Sequence, residues 1–211
     1  MKNQASCGRC YAFSALEALQ AYYHIKKGGA RSQNDVINLS EQQILDCSSS
    51  YGNNACNGGL MSYSFNYLKN YPIMLESDYG YTARKGTCRY SSSKGKFKVT
   101  SYVNLPKNDP AALMAAIKQQ PVSIAIRSGT SLFQLYKSGV ISSTSCGTRL
   151  DHAVTLIGYG TENGNDYWLM KNSWGENWGE KGYFKVKRTM NRDAGICGIY
   201  QLNSYPSGIS I

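Results

Sequence analysis

The chain has only two histidines, His24 and His152, and no apolar run that approaches the roughly 18 residues needed to cross a bilayer. The missing run excludes a membrane span. The opening Met1-Lys2-Asn3-Gln4-Ala5-Ser6 also lacks the apolar stretch that a signal peptide requires. Internal repeats and low-complexity blocks are absent, so 211 residues, 42% of them hydrophobic, read as a globular chain with room for one large domain or two modest ones. Lys and Arg outnumber Asp and Glu, 23 to 13, yet no basic block is longer than Lys26-Lys27 or Lys187-Arg188. Scattered charge keeps a surface solvated but forms no stripe that tracks phosphates, so no nucleic-acid partner is expected.

The shortage of histidine also limits metal chemistry. Cys7-x-x-Cys10 has the spacing of half a zinc site or of a redox pair, but no second close Cys or His pair completes four ligands. Neither a metal nor a cofactor is expected. Cysteine itself is plentiful: seven, spread over the whole length, suggest three disulfides and an odd thiol in an oxidising compartment. Arithmetic alone cannot choose their pairing. The sequon Asn38-Leu39-Ser40 agrees with secretory passage.

Cys10 stands out by position. Beyond it Phe13, Leu16, Leu19 and Tyr23 recur at spacings of three and four until Gly28-Gly29, which predicts an amphipathic helix with Cys10 in its first turn. There the helix dipole and unpaired amides favour thiolate over thiol, and the thiolate is the form that attacks carbonyls. A second helix is predicted from the capping box Ser40-Glu41-Gln42-Gln43 toward Cys47, and a third from Met61 to Lys69. The texture changes over residues 91–108, where a serine-rich loop precedes an extended segment. Asp109-Pro110 opens a short helix through Ile117, and strands are predicted at Val122–Ile126, His152–Ile157, Asp166–Lys171 and Gly182–Lys187.

A cysteine nucleophile needs a base, and histidine suits the task because its pKa lies near the working pH. His24 falls in the last turns of the first helix and reads as a surface residue. His152 opens an apolar strand and is the better candidate. In Lys171-Asn172-Ser173-Trp174-Gly175-Glu176-Asn177-Trp178-Gly179 an amide able to hold one imidazole tautomer stands beside an aromatic able to shield that bond from water.

These segments together resemble the papain family of cysteine proteases, in the style of the mature domains of cathepsins L and K. Cys7-Gly8-Arg9-Cys10-Tyr11-Ala12-Phe13-Ser14 is similar to the nucleophile segment, Leu39 to Cys47 to the second helix, and Cys56-Asn57-Gly58-Gly59 to the substrate-binding loop. The histidine and asparagine segments follow in family order. The resemblance implies an α+β fold of two domains, with a helix-rich domain over residues 1–102 carrying Cys10. A barrel-like antiparallel domain over residues 103–203 carries His152 and Asn172, a tail covers 204–211, and the active-site cleft lies between the domains.

It further implies Cys10 as nucleophile, His152 as general base and acid, Asn172 as orienter of the imidazole, and Gln4 as side-chain donor to the oxyanion. The implied disulfides are Cys7–Cys56, Cys47–Cys88 and Cys146–Cys197. Gly58 and Gly59 would pair with the substrate backbone, Trp178 would cover the leaving-group side, and Asp151 and Trp174 would also line the site. Leu60, Met61, Ala125, Leu150 and Leu202 match the main selectivity pocket, and all are apolar. That composition favours Leu, Val or Phe at P2 over Arg, because a pocket without charge gains by burying apolar groups and loses by desolvating an ion.

Peptide and protein substrates, the chain's own propeptide and cystatin-type inhibitors are the implied partners. A monomer in a lysosomal, vacuolar or secreted setting is implied as well. Two residues depart from the family pattern: Arg9 stands where a small residue is usual, and Tyr11 where tryptophan is more frequent. A papain-like protein that binds peptides without cleaving them is the alternative.

Overall fold

The computed structural model describes residues 2–4 and 8–210. The chain divides into two units, one strand-rich (residues 2–3 and Asn104–Ser204) and one helix-rich (Gln4–Val103 and residues 205–210).

The helix-rich unit is built on α1 (Cys10–Lys26). Tyr11, Phe13, Leu16, Leu19 and Tyr22 are buried, and so are Ala12, Ser14, Ala15 and Ala18. The helix is therefore enclosed on most of its circumference instead of along one amphipathic stripe, because small residues let neighbours approach the faces that the large ones leave. It ends in a paired glycine cap. Gly28 takes φ +82°, its N–H donates to the Ile25 carbonyl at 3.2 Å, and the Gly29 N–H donates to the His24 carbonyl at 2.7 Å. His24 has a structural role near this end, its Nε2 accepting from the Ile37 N–H at 3.3 Å.

Helix α2 (Glu41–Cys47) buries polar side chains, each with partners in nearby loops. Ser40 caps it, accepting from the Gln43 N–H at 3.1 Å. The predicted capping box is only half made: Gln43 turns its amide to the Met74 N–H and the Pro72 carbonyl, and the Ser40 N–H donates to the Met74 carbonyl instead. Packing against residues 72–74 outweighs the local reciprocal bond. Gln42 holds the Thr82 N–H and the Arg84 carbonyl, while Asp46 accepts from the Gly86 N–H and the Tyr79 hydroxyl. The Cys47–Cys88 disulfide ties the same loop to the end of α2. Helix α3 (Met61–Leu68) packs on α1. β1 (Lys98–Asn104) completes the unit, and the C-terminal residues of β7 (Asn203–Ser210) pair with it.

In the strand-rich unit, α4 (Pro110–Ile117) is capped by Asp109, whose Oδ1 accepts from the Ala112 N–H at 3.0 Å. The strands are β2 (Val122–Ile126), β3 (Val140–Ile141), β4 (His152–Glu162), β5 (Asn165–Lys171) and β6 (Tyr183–Lys187). Their order is β7-β2-β4-β5-β6-β3. The sheet stays open where a barrel-like closure was expected, and β3 pairs with β6 in parallel. A short helix, α5 (Ser131–Gln134), follows β2. Cys146 is bonded to Cys197. Residues 204–211, expected as a tail, hold most of β7. Among the described residues no helix is long and apolar enough to cross a membrane.

Candidate active site

In the strand-rich unit His152 is the first residue of β4 and sits opposite Ile126 of β2. Asn172 follows β5, which pairs with β4 at Thr155 and Lys171. The ladder therefore brings the two side chains together: His152 Nε2 and Asn172 Oδ1 are 2.7 Å apart. The Ser173 main-chain N–H meets the same oxygen at 2.8 Å. A main-chain N–H can only donate, so the atom it meets must be the amide oxygen, and the ring nitrogen facing that oxygen must carry hydrogen. Nε2 is thus the donor, and Nδ1 keeps the lone pair that can take a proton.

Aromatic rings seal this bond. Trp174 lies 5.0 Å from the imidazole, Phe133 of α5 lies 6.3 Å from it, and His152 is 6% exposed. Burial pulls the imidazole pKa down to about 4, against smaller upward pulls from the Asn172 bond and the Asp151 charge. Asp151 precedes His152 and anchors the turn after β2, accepting from the Ser128 and Gly129 N–H groups and pairing with Arg127. Trp178 packs on Phe133 at 5.0 Å and donates its indole N–H to the Gln134 carbonyl at 3.2 Å. Ala125 and Leu202 are neighbours through the Ala125 N–H to Leu202 carbonyl bond, 3.0 Å, and Leu150 lies beside Gly198.

In the helix-rich unit Cys10 begins α1, half-buried and outside any disulfide. Arg9 is the residue at the helix N-cap and provides no side-chain cap, so the first-turn amides gain no acceptor from it. The Gly8 N–H donates to the Cys56 carbonyl at 3.0 Å, and a Cβ at Gly8 would lie 2.6 Å from that oxygen, so only glycine permits this approach. The loop ahead of α3 is held from two sides. Tyr11 donates its hydroxyl to the Ala55 carbonyl at 2.9 Å, and Asn53 accepts from the Leu60 N–H at 3.0 Å while donating to the Ser48 and Ser64 hydroxyls. Gly58 takes φ +108°, and a side chain at Gly59 would collide with the Asn53 amide. Leu60 is half-buried and Met61 is 2% exposed at the start of α3.

Gln4 is 7% exposed, and its carbonyl accepts from the Tyr81 hydroxyl at 2.8 Å and from Arg9. The expected Cys7–Cys56 disulfide involves Cys7, which lies outside the described residues. Asn53, Tyr81 and Phe133 were not singled out from the sequence. No local motif marks them: Tyr81 and Phe133 act on groups distant in the chain, and Asn53 meets Ser48, Leu60 and Ser64 only once the loop has folded.

The papain family cysteine protease profile matches residues 1–207. Probable cysteine protease RD21B of Arabidopsis thaliana is 47% identical over 208 residues, which are 98% of this chain and 43% of that protein. The Oryzain beta chain of Oryza sativa subsp. japonica is 44% identical over 209 residues, again 98% of this chain and 43% of the relative. The chain thus spans about half the length of the curated relatives it matches. Among solved structures, the bromelain protease from Ananas comosus, determined in complex with the E64 inhibitor, aligns with a TM-score of 0.88 at 40% identity, covering 98% of this chain and 92% of that one. Digestive procathepsin L 3 of Tenebrio molitor larval midgut aligns with a TM-score of 0.88 at 39% identity, covering 98% and 65%. Identity at this level along nearly the whole chain, on a shared fold, makes the chain a member of the papain family of cysteine proteases.

Proposed function

We propose that the chain hydrolyses peptide bonds as a cysteine endopeptidase, with Cys10 as nucleophile, His152 as base and acid, Asn172 as orienter and Gln4 as oxyanion donor. The observation that carries this reading is the bond of 2.7 Å between His152 and Asn172, whose tautomer the Ser173 N–H decides. It leaves Nδ1 able to accept the thiol proton, and the start of α1 favours the resulting thiolate.

The Cys10 thiolate attacks the peptide carbonyl, and the oxyanion is held by the Cys10 main-chain N–H and the Gln4 side-chain amide. Collapse of the tetrahedral intermediate breaks the C–N bond, with the His152 imidazolium giving its proton to the departing amine. Water then attacks the thioester while His152 takes a water proton, and the acid product leaves with Cys10 restored. Gly58 and Gly59 pair with the substrate backbone in extended form. Leu60, Met61, Ala125, Leu150 and Leu202 receive an apolar P2 side chain, with Asp151 and Trp174 as further site residues and Trp178 on the leaving-group side.

A propeptide, protein substrates and cystatin-type inhibitors are the partners in this reading, and the protein works as a monomer. The Cys47–Cys88 and Cys146–Cys197 disulfides among the described residues fit an oxidising compartment, vacuolar, lysosomal or secreted. The domain division proposed is a helix-rich domain over 1–102 and a strand-rich domain over 103–203. The test is hydrolysis of fluorogenic peptides carrying Leu, Phe or Arg at P2 by the reduced protein and by Cys10→Ala. Turnover of the Leu and Phe peptides, roughly tenfold or more above the Arg peptide and lost in the variant, is expected. Labelling of Cys10 by E-64 without peptide turnover would favour the peptide-binding alternative.

A further inference from the structure

Arg9 has no exposed surface and ranks among the largest fully buried side chains. Its Nη2 donates to the Gln4 carbonyl, its guanidinium lies 4.1 Å above the Tyr81 ring, and Nε and Nη1 have no hydrogen-bond partner among the described residues. Burial has drawn its pKa down to about 10, against smaller upward pulls from Tyr11 and the buried Glu41, so a cation hydrogen-bonded to one carbonyl and stacked on one ring face still carries a desolvation cost. A small residue would avoid that cost, so the arrangement calls for a reason.

The reason is visible at Gln4. Its carbonyl accepts from Arg9 and from the Tyr81 hydroxyl, which occupies both lone pairs. Both donors are tied to α1: Arg9 is the residue before Cys10, and Tyr81 packs edge-on against Phe13 at 5.4 Å. We propose that Arg9 and Tyr81 are positioning residues that clamp the Gln4 peptide to the first turn of α1, so that the Gln4 amide is held in place for the oxyanion. This rests on the protease reading above. The guanidinium is spent on Gln4 and Tyr81, and its part in the reaction is geometric more than a matter of supplying charge to the thiolate. An oxyanion donor is effective only if its position needs no adjustment when charge develops.

The test uses the full chain with Arg9→Ser, Arg9→Lys, Tyr81→Phe and Gln4→Ala, read as kcat and KM on a fluorogenic peptide and as the pH profile of Cys10 alkylation by iodoacetamide. The expected result is a kcat about 10- to 100-fold lower in Arg9→Ser and in Arg9→Lys, with KM and the alkylation profile nearly unchanged. Tyr81→Phe, which keeps the ring, should lower kcat by about three- to tenfold. In the Gln4→Ala background Arg9→Ser should cost little more, because the clamp then holds nothing. Full activity in Arg9→Lys, with an alkylation profile displaced only in Arg9→Ser, overturns the proposal in favour of a charge effect. Additive losses with Gln4→Ala, or an unchanged kcat in Tyr81→Phe, overturn it as well. If Arg9→Ser fails to fold, Tyr81→Phe alone and combined with Gln4→Ala decides. A wild-type protein that turns over no peptide sinks the protease reading itself, which is a different result.

Discussion

The two units hold their functional residues by different means. In the strand-rich unit, His152 and Asn172 meet because β4 and β5 share a ladder, and a main-chain N–H fixes the asparagine. In the helix-rich unit, the surroundings of Cys10 hang on individual side chains: Tyr11 on Ala55, Asn53 on Leu60, and Arg9 and Tyr81 on Gln4. Backbone registers survive most substitutions, because each rung is supported by its neighbours. A loop held by one amide is lost with that amide. The histidine half should therefore lose chemistry without losing structure, whereas the cysteine half should lose both.

The sharpest contrast is expected from His152→Ala. Turnover should fall by about 10⁴-fold or more, while the melting temperature moves little; a collapse of the fold would break the comparison. The acid dependence of stability comes next. Burial holds His152 at about 4 against an ordinary 6.5, so between those values the unfolded chain binds a proton that the folded chain refuses. That contribution is whole above 6.5 and is lost as pH falls toward 4, up to about 3 kcal/mol. Urea midpoints measured from pH 7 to 4 in Cys10→Ala should fall more steeply than in Cys10→Ala with His152→Phe.

Asn53→Ala removes the acceptor of the Leu60 N–H and the donor to two buried hydroxyls, and should destabilise by about 2–3 kcal/mol in denaturant unfolding. KM should rise with it, because the loop bearing Gly58 and Gly59 loses its anchor. The smallest effect is expected from Tyr11→Phe, about 1 kcal/mol and a few-fold rise in KM with kcat kept. Equal falls in kcat and kcat/KM, with KM unchanged, would show that Tyr11 serves the thiol and not the loop.

Much of this was readable before any coordinates. The spacing of Phe13, Leu16 and Leu19 marks α1, Gly28-Gly29 marks its end, and Asp109-Pro110 marks the start of α4. What escaped was too short or too polar to carry a period: α5 has four residues, β3 has two, and β7 reads Asn-Ser-Tyr-Pro-Ser-Gly-Ile-Ser. Arg9 escaped for another reason. Beside Cys10 in sequence it reads as a charge offered to the thiolate, and only its burial against Tyr81 turns it toward Gln4.

The sequence by itself determined the family and the principal helices and strands, and it supplied the proposed nucleophile and base, because these depend on residue types at fixed local spacings. The tertiary structure alone decided which imidazole nitrogen carries the proton, how the loop before α3 is anchored, and where the Arg9 guanidinium is directed. Each of those depends on a partner far along the chain, and the bonds between such partners exist only once the chain has folded.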